Sequence, residues 1–402
     1  MANVSSSNGL EKRPKLRFPG FDEPWKLRKL NDMLNQRIEK QIPSVDAPLM
    51  AFTAEGGVEP KGERYDRSYL VKNEDKLYKR TEYNDFIYSS NNLDVGSIGL
   101  NRYGTAVISD VYEIFSVKSD YLPTFVSELI QRPQNMKKVL KYRQGCLYGQ
   151  YRIYAEDFLS VPVFVPTKQE QEKISQFLDS LDKRIAYQRS LINNLKKYKR
   201  GVTAKLITAI EEKYPVVKLG NHVAVMRGGS PRPIDAYITN AENGIRWIKI
   251  GDALPDQLYI SDTKEKIKPE GAKKSRRVYA GDLILSNSMS FGRPYILKVD
   301  GCIHDGWLLI RDEKNNFDKR FLCFYLASDS TLAQYKKFAA GSCVNNLNSE
   351  LVANVEIGMP PIEQQIHVAD ILEKIDRQVE AASTMYLLLS KLRSSLLQQL
   401  FI

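Results

Sequence analysis

The 402-residue sequence is poor in the residues that build metal sites and disulfide frameworks. It contains four cysteines, none of them in a CxxC pair, and three isolated histidines. It has no apolar run of about 18 residues, and residues 1–23 lack the apolar core of a signal peptide. These absences argue against a zinc site, a disulfide-stabilised secreted domain and a membrane-spanning chain. We therefore expect a cytosolic protein with no membrane partner.

Motifs for catalysis are missing as well. The sequence has neither a Gly-x-Gly-x-x-Gly motif nor a P-loop, which cradle phosphates in many cofactor and nucleotide sites. The histidines, His222, His304 and His367, stand apart from one another. His304 precedes Asp305, but the first half of the chain has Ser109 at the corresponding place, so we interpret the pair as a turn that closes a hairpin.

One pattern is similar to a nuclease motif. Pro255-Asp256 followed by Asp262-Thr263-Lys264 matches the Pro-Asp…Asp-x-Lys signature of many Mg²⁺-dependent nucleases. Such sites place their carboxylates on adjacent strands, so that both bind the metal. The five intervening residues leave little room for a strand pair, and the first half of the chain has no counterpart. A stand-alone nuclease is therefore disfavoured.

Positive charge is present in excess. Fifty-nine lysines and arginines against 48 aspartates and glutamates give a formal net charge of +11 and a pI near 9.2. A surplus of this size indicates a polyanionic partner, with nucleic acid first and an acidic membrane surface second.

The sequence also contains a long internal repeat. Residues 166–207 align without a gap with residues 360–401, at an offset of 194 positions (360 − 166). Apolar residues recur in each copy at alternating steps of four and three, which is the a/d pattern of a helix that pairs with another helix. The predicted seam consists of Ile174, Leu178, Leu181, Ile185, Ile192, Leu195, Val202 and Leu206 in the first copy, and of Val368, Leu372, Ile375, Val379, Tyr386, Leu389, Leu396 and Leu400 in the second.

Connectivity predicts how the two helices pair. The span from Ile174 to Leu206 makes a rod of about 50 Å. Only residues 208–214 separate the first helix from the next globular segment, so that segment must begin at the far end of this helix. The second helix then has to run back along the first. The sequence therefore predicts an antiparallel coiled coil of two helices that holds two globular units apart.

The two globular halves follow the same plan. Short apolar alternations at 86–88, 106–108, 112–117 and 161–165 predict strands in the first half, and 122–140 has a helical pattern. The corresponding landmarks of the second half are 282–286, 304–307, 321–338 and 355–357. The helices match nearly position for position, whereas the globular parts diverge. This contrast suggests that both globular parts have the same function but act on different targets. For a basic protein, this function is the recognition of two DNA segments.

We predict an α+β fold with a pseudo-two-fold internal repeat, in which long antiparallel helices separate two mixed α/β domains. A rod of about 50 Å would place two DNA readers about one and a half turns of B-DNA apart. The predicted segments are a flexible leader (1–23), a first recognition domain (24–167), a first spacer helix (168–211), a second recognition domain (212–359) and a second spacer helix (360–402).

In these features the sequence resembles the DNA-specificity subunits of type I restriction–modification systems, over nearly the whole chain after Phe18. The resemblance is carried by the Lys-Leu openings at 25–30 and 217–220, the Gly-Gly-Ser-Pro turn at 228–231 with residues 246–252, the Gly-Asp-Leu-Ile segment at 281–284, and the closing patterns at 166–174 and 360–366. The duplicated Pro…Glu-Gln segment that leads into a heptad helix is the specific part. The first half departs from the pattern, because residues 36–48 contain no Gly-Gly-Ser-Pro turn.

The resemblance implies that the chain selects the DNA sequence and brings the other subunits of the complex together. Each globular unit would be a target-recognition domain that reads one half of a split, asymmetric DNA site. The helices would set the length of the unread spacer and dock two copies of a DNA adenine methyltransferase subunit, and an ATP-driven restriction (endonuclease) subunit would join for cleavage. The chain itself would be non-catalytic and hold no cofactor, while its partners would use S-adenosylmethionine, ATP and Mg²⁺. The sequence accordingly lacks the Asn-Pro-Pro-aromatic tetrapeptide of adenine methyltransferases.

Candidate DNA contacts follow from side-chain chemistry. Phosphate contacts need Lys or Arg, and base reading needs Arg, Asn, Gln or Ser on exposed turns. In the first unit the candidates are Ser90, Asn91, Arg102, Tyr103, Gln150, Tyr151 and Arg152. In the second unit they are Arg227, Ser230, Arg232, Lys273, Lys274, Arg276, Ser288, Ser290, Arg293, Asn345 and Asn346. We expect the basic segment 273–277 to grip the DNA backbone rather than to read bases.

A different class of function stays open. A coiled-coil adaptor with two protein-binding heads would share the repeat and the helices, but it would bind DNA no better than any basic protein does. A gel shift against pools of random duplexes distinguishes the two.

Overall fold

The computed structural model describes residues 12–54, 56–60, 76–91, 93, 96–147, 150–254, 257–287, 292–339 and 347–402. Its contacts divide the chain into two compact units. Unit 1 comprises the residues up to 187 together with 385–402, and unit 2 comprises 188–384. The division runs through both long helices, so each unit contains its own portion of the helix pair.

Unit 1 mixes short strands and helices. Its strands are β1 (Lys26–Lys29), β2 (Leu34–Gln36), β3 (Lys40–Gln41), β4 (Ala51–Thr53), β5 (Gly57–Glu59), β6 (Tyr78–Thr81), β7 (Phe86–Ser89), β8 (Ile98–Leu100), β9 (Ala106–Ile108), β10 (Tyr112–Val117), β11 (Gln144–Leu147), β12 (Gln150–Arg152) and β13 (Pro162–Val165). Its helices are α1 (Leu30–Met33), α2 (Pro123–Ile130), α3 (Pro133–Val139), α4 (Ala155–Ser160) and the first part of the long helix α5 (Lys168–Lys213).

Unit 2 has the same character. Its strands are β14 (Val216–Lys218), β15 (Ala224–Arg227), β16 (Ile238–Thr239), β17 (Ile245–Ile248), β18 (Tyr259–Ile260), β19 (Glu265–Ile267), β20 (Arg276–Val278), β21 (Leu283–Ser286), β22 (Pro294–Leu297), β23 (Gly301–Ile303), β24 (Trp307–Arg311) and β25 (Glu356–Gly358). Its helices are the rest of α5, α6 (Pro269–Ala272), α7 (Lys319–Leu326), α8 (Asp329–Ala339), α9 (Ser349–Ala353) and the first part of α10 (Ile362–Leu400). Among the helices of the described ranges, none is both long and apolar enough to cross a membrane.

The central sheet has the same plan in both units. The strand order is β2-β10-β7-β8 in unit 1 and β15-β24-β21-β22-β18 in unit 2. The central strands β7 and β21 are almost wholly buried, and each pairs antiparallel with the strand that follows a tight turn, β10 or β24. The predicted correspondence of residues 282–286 with 85–89 is therefore confirmed.

Two details of the predicted landmarks differ. The turn at 304–307 joins β23 to β24, but these strands lie in different sheets, so the prediction that the turn closes a hairpin is wrong. The helical patterns at 122–140 and 321–338 are each interrupted. In unit 1 the interruption comes at Pro133, whose ring occupies the first position of α3, where a missing N–H costs nothing.

Each globular half is closed by pairing its first strand with its last. β1 runs antiparallel to β13, with Lys26 opposite Val165. β14 pairs in the same way with β25, where Val216 lies opposite Gly358. The long helices follow directly after β13 and β25. The Lys-Leu openings and the Pro…Gln closings of the sequence are therefore neighbours in space.

The heptad prediction is confirmed by burial. All sixteen predicted seam residues are buried or half-buried. In unit 1, Ile174 and Leu178 near the start of α5 share a core with Leu400 at the end of α10. In unit 2, Ile207 and Ile210 near the end of α5 share a core with Leu372 near the start of α10. The helices are therefore antiparallel, as connectivity predicted.

Two polar seam positions form equivalent ion pairs. In unit 2, Lys199 Nζ lies 2.5 Å from Asp376 Oδ1. In unit 1, Arg393 Nη2 donates to Asp182 Oδ2 at 2.9 Å and to Glu128 Oε1 at 2.6 Å. Lys199 and Arg393 are 194 positions apart, and so are Asp182 and Asp376. At both positions a charged residue interrupts the apolar pattern of the helix and is held by an ion pair.

A buried glutamine links each long helix to its globular unit. Gln171 Nε2 donates to the Pro166 carbonyl at 3.2 Å, and its Oε1 accepts from the Leu122 N–H at 3.3 Å. Gln365 repeats this arrangement with Pro360 at 2.9 Å and with the backbone N–H that precedes α7, also at 2.9 Å. The duplicated Pro…Gln spacing is therefore a joint that satisfies backbone groups at the helix start.

The predicted flexible leader is wrong for its second half. Residues 1–11 lie outside the described residues, but 12–18 pack on the helix pair of unit 1. The Leu16 N–H donates to the Gln399 carbonyl at 2.9 Å. Arg17 forms two hydrogen bonds of 2.7 Å with the buried Glu170 carboxylate. The polar composition of the segment suggested flexibility, but this bidentate ion pair holds Arg17 on the helix pair.

Candidate nucleic-acid interface

Asp305 organises the Gly-Gly-Ser-Pro turn of unit 2. Its carboxylate accepts a hydrogen bond of 3.0 Å from Ser230 Oγ and one of 3.3 Å from Arg232 Nη2. Its main-chain carbonyl accepts from Arg227 Nε at 3.3 Å. Arg232 keeps 81% of its side chain exposed. The structure therefore brings together the three predicted contact residues of this turn and leaves both arginines accessible.

The glycines of the turn allow it to pack against the protein itself. A Cβ atom at Gly228 would lie 2.1 Å from the His304 carbonyl oxygen. The Gly228 N–H donates to the Trp307 carbonyl at 2.8 Å, and the Gly229 N–H donates to Ile303 at 3.1 Å. The turn therefore approaches residues 303–307 closely, which fixes where the arginines emerge.

The basic segment 273–277 joins the same surface. Ser275 Oγ donates to the Gly229 carbonyl at 2.6 Å, and Arg276 Nε donates to the Arg227 carbonyl at 3.2 Å. Lys273 is exposed, and Lys274 Nζ donates to the Tyr237 hydroxyl at 2.6 Å. The segment adds cationic side chains beside the turn. We call Arg227, Ser230, Arg232, Arg276 and Asp305 the unit 2 site.

Asp305 is ionised at neutral pH in this environment. Its partial burial opposes ionisation, but the hydrogen bond from Ser230 and the nearby His304 and Arg232 lower the pKa of its carboxyl group below the usual value. The His304 ring serves the same turn, because its Nδ1 accepts from the Gly306 N–H at 2.9 Å and its Nε2 lies 3.0 Å from Asp305 Oδ1. The histidine–aspartate pair is therefore a structural element of the turn.

The segment after β21 is divided between interior and surface. Ser286 and Asn287 are buried, and Asn287 Nδ2 donates to the Asp305 carbonyl at 3.0 Å. The predicted contacts Ser288, Ser290, Asn345 and Asn346 lie outside the described residues. Arg293 is exposed, and it lines a cleft against α5 rather than the unit 2 site.

In unit 1 the structure joins two predicted segments that are far apart in sequence. Asn91 and Arg152 form an antiparallel β-bridge. The Ile153 N–H donates to the Ser90 carbonyl at 3.0 Å. The prediction that Ser90 lies on an exposed loop is wrong, because the residue is 1% exposed and its hydroxyl donates to the Val111 carbonyl at 2.8 Å.

Aromatic and charged groups position the arginines of this region. Arg152 lies 5.0 Å from the centroid of the Tyr154 ring, and its Nη2 lies 3.4 Å from Glu113 Oε1. Arg143 stands over the Tyr151 ring at 4.7 Å. Such cation–π contacts give a guanidinium group a preferred position over the ring. Gln150 belongs to β12, but its side chain lies outside the described residues. We call Asn91, Arg143, Tyr151 and Arg152 the unit 1 site.

Arg102 and Tyr103 do not belong to the unit 1 site. Arg102 donates to Asn84, which precedes β7, and to Thr124 Oγ1 at 2.6 Å at the start of α2. Asn91 follows β7. Arg102 and its neighbour Tyr103 therefore lie at the opposite end of the central strand from Asn91, and their role as DNA contacts stays a prediction.

The two sites lie at equivalent edges of the two central sheets. In unit 1 the Ser90 N–H, just after β7, donates to the Val111 carbonyl at 3.0 Å. In unit 2 the Asn287 N–H, just after β21, donates to the Gly306 carbonyl at 2.9 Å. The next links are also equivalent, since Leu347 donates to Asn287 at 3.1 Å as Ile153 does to Ser90. Both sites are therefore built on one framework.

Metal-dependent cleavage finds no support in the part of the chain that the structure describes. No group of three or more His, Cys, Asp or Glu side chains there could hold a metal ion. Asp262 is 85% exposed and only approaches Arg246, at 3.8 Å. Asp256, the other carboxylate of the nuclease-like pattern, lies outside the described residues.

Sequence reasoning missed residues whose role depends on partners far along the chain. Asp305 was set aside as part of a turn, although it holds three side chains of the Gly-Gly-Ser-Pro turn. Arg143 had no motif, and its only signal is its position beside β11, whose Gln144 pairs with Arg152. Asp305 gains its role from these tertiary contacts, and Arg143 from its position beside a strand pair.

Comparison with known protein families gives one match for both halves of the chain. The model of a family described as the type I restriction modification DNA specificity domain matches residues 22–197 and again residues 211–385. Two curated proteins of Methanocaldococcus jannaschii are similar along most of their length. The type I restriction enzyme MjaVIII specificity subunit is 24% identical over 314 residues, covering 68% of this chain and 71% of that protein. The MjaX specificity subunit is 23% identical over 400 residues, covering 89% and 88%.

Solved structures share the fold. The S subunit of a type I restriction–modification system from M. genitalium superposes with a TM-score of 0.61 at 14% identity, covering 97% of this chain and 99% of that one. A structure from work on assembly and conformational transition of the type I R-M system gives a TM-score of 0.55 at 16% identity, covering 96% and 98%. These likenesses confirm the predicted architecture of two mixed domains with long helices.

Proposed function

The chain belongs to the type I restriction modification DNA specificity family, and from this premise we propose that its two sites read the two halves of a bipartite, asymmetric DNA target. Membership assigns a DNA specificity subunit rather than a catalytic one. The proposal concerns which surfaces do the reading. It places the unit 1 site on one half of the target and the unit 2 site on the other.

The equivalent position of the two sites carries this proposal. Each lies where the central strand ends, and each presents arginines held by neighbouring groups rather than free in solvent. Arg232 is fixed by Asp305 and Arg152 by Tyr154 and Glu113. A preoriented guanidinium can donate in a bidentate manner to guanine in the major groove. The framework is shared while the side chains differ, as two readers of unlike sequences require.

We further propose how the helix pair serves the complex. The paired helices set the length of the unread spacer and dock two methyltransferase subunits, and restriction subunits join the same assembly. Chemistry resides in those partners, with S-adenosylmethionine, ATP and Mg²⁺ as their cofactors. The reciprocal ion pairs of Asp182 with Arg393 and of Asp376 with Lys199 support a fixed register of the two helices, which a spacer of constant length requires.

Mapping of methylated adenines tests the proposed reading. The chain is co-expressed with its methyltransferase subunits, and the modified positions are sequenced across a whole genome. We expect a single asymmetric motif with two specified blocks and a fixed gap. Arg232→Ala should relax the block read by unit 2 and leave the other block intact. A continuous motif, or relaxation of both blocks at once, would contradict the proposal.

The adaptor reading is not favoured by the family assignment. It predicts equal affinity for all duplexes of one length, set by charge alone. Enrichment of specific sequences from a random pool by the reconstituted methyltransferase complex would exclude it directly.

A further inference from the structure

Unit 2 contains a cationic cleft that lies apart from the unit 2 site. It has a volume of about 670 Å³ and is bounded by the last third of α5, by residues 292–293 and by the segment that enters α8. Four of its lining side chains are cationic and one is anionic: Lys196, Lys199, Arg200 and Arg293 against Asp329. Hydroxyl groups, such as that of Thr203, add further hydrogen-bonding capacity.

Two arginines, Arg200 and Arg293, contribute to the excess charge of the cleft. Lys199 is neutralised by Asp376 at 2.5 Å and lies over the Phe324 ring at 5.1 Å. The guanidinium groups of Arg200 and Arg293, in contrast, form no hydrogen bond or ion pair with the described part of the chain. Two guanidinium groups in one cleft repel each other, and Asp329 is the one anionic side chain among the lining residues, so the cleft keeps a positive charge that is complementary to an anion.

We propose that this cleft binds a phosphate group of the DNA backbone. Guanidinium groups suit phosphate because their planar N–H edges match two of its oxygens. Arg293 connects the cleft to the DNA-reading edge, since its backbone N–H donates to the Ser286 side chain at 3.0 Å at the end of β21. A duplex on the unit 2 site would therefore extend towards the cleft. This inference rests on the proposed function, and it assigns the backbone, not bases, to the cleft.

The internal repeat shows that two cations of the cleft, Lys196 and Arg200, are not repeated in α10. The positions in α10 that correspond to Lys196 and Arg200 are Ser390 and Ser394. Their hydroxyls donate to carbonyls of their own helix, at 2.8 Å and 3.2 Å. The seam and its ion pairs were retained in both copies, whereas these cations were not. The backbone contact would thus anchor the duplex on the side of unit 2.

A matched set of variants tests the inference in the reconstituted methyltransferase complex. Arg200→Ser introduces the residue that the other repeat carries, and Arg293→Ser removes the second guanidinium. Lys205→Ser is the control, because Lys205 is exposed on the same helix and does not line the cleft. Binding of random 40-bp duplexes and of duplexes with the mapped target is measured from low to high salt, with thermal unfolding as the check on folding.

We expect both arginine variants to bind the specific and the random duplexes more weakly by the same factor. The slope of log affinity against log salt should fall in magnitude by about 1 for each variant. Lys205→Ser should change neither quantity as much. If all three variants show the same affinity and the same salt slope, the inference is overturned. If the wild-type complex binds random duplexes as tightly as duplexes with the mapped target, the proposed function is overturned instead.

A free anion is the other source of the same chemistry. Inorganic pyrophosphate is therefore titrated against the full chain while the unfolding temperature is recorded. Stabilisation that is lost in Arg200→Ser, together with unchanged DNA binding by that variant, would show a small-anion site and overturn the assignment to DNA. Competition between pyrophosphate and DNA in the wild-type complex, absent in Arg200→Ser, would support it.

Discussion

Gln188 donates a hydrogen bond of 3.0 Å from Nε2 to the main-chain carbonyl of Ala382, the residue that occupies its own position in the second repeat. When two antiparallel helices carry the same sequence pattern, a residue can face its own counterpart in the other helix at only one place along the pair. The ion pairs agree with this centre, since Asp182 and Lys199 precede and follow Gln188, and their partners Arg393 and Asp376 follow and precede Ala382. The helix pair therefore has a defined register.

The buried glutamines should contribute measurably to stability. Gln365→Ala leaves the Pro360 carbonyl and the N–H before α7 without their partner. An unsatisfied buried group costs about 1–3 kcal/mol. Because two groups lose their partner, we expect the free energy of unfolding to fall by at least about 1–3 kcal/mol in urea titrations. Gln378→Ala on the exposed face of α10 is the control and should be nearly neutral. Equal effects of both changes would mean that the joint does not stabilise the unit.

The Arg393 ion pair should show coupling with Asp182. Arg393 also donates to Glu128, so Arg393→Ala leaves two carboxylates close together. We expect a loss of about 1.5–3 kcal/mol in the free energy of unfolding, because hydrogen bonds to charged groups contribute in this range. A double-mutant cycle with Asp182→Ala isolates the pair. Additive effects would indicate that the contact is not formed in solution.

The helices and the repeat could be predicted because their signals are local. A seam residue such as Leu178 must be buried wherever the helix packs, and the Pro166…Gln171 spacing contains its own hydrogen bond. The cleft was not predictable in this way. Arg200 and Arg293 look like solvated charges in the sequence, and only the packing of α5 beside residues 292–293 brings them together.

The candidate site was predicted less well, for a geometric reason. Successive antiparallel strands return the chain to opposite edges of a sheet. Arg102 follows β8, which runs back along β7, and it therefore lies near Asn84 rather than Asn91. Ser90 is as polar as Asn91, yet strand geometry turns its side chain inward. Loop composition identifies candidates, but strand order decides which of them share a surface.

Arg152 and Arg102 of unit 1 lie at opposite ends of β7, so we expect different outcomes when each is substituted. Arg152→Ala should weaken binding to the mapped target by about 1–3 kcal/mol and relax only the half-site of unit 1. Arg102→Ala should leave affinity and methylation pattern near those of the wild type, because Arg102 lies at the other end of β7. Fluorescence anisotropy with duplexes in which one half-site is scrambled makes the comparison. If Arg102→Ala weakens binding more than Arg152→Ala does, the DNA-reading surface lies at the opposite end of β7.

Asp305 should restrain DNA affinity while it secures specificity. Asp305→Asn removes a negative charge beside Arg232 and keeps a group that can still accept from Ser230. Random duplexes should bind more tightly, because the net positive charge of the surface rises. Discrimination at the half-site of unit 2 should fall, since Arg232 loses its ionised partner. The ratio of the two dissociation constants measures this, and an unchanged ratio would exclude Asp305 from the reading surface.

The register of the helix pair leads to a test of the spacer. A heptad inserted after Gln188 together with one at Ala382 enters at equivalent, contacting positions, so the seam on both sides keeps its partners. Each helix lengthens by about 10.5 Å. At about 3.4 Å per base pair, the preferred gap in the methylation motif should grow by roughly 3 base pairs.

A heptad in one helix only is the matched control for that test. It shifts the seam on one side of the insertion, which separates Lys199 from Asp376 or Asp182 from Arg393. We expect this variant to unfold at lower temperature and to lose specific methylation instead of acquiring a longer gap. If the double insertion folds and methylates DNA with the original gap, the longer helix pair has not changed the distance between the two blocks. The recognition units and their partners then set the spacer.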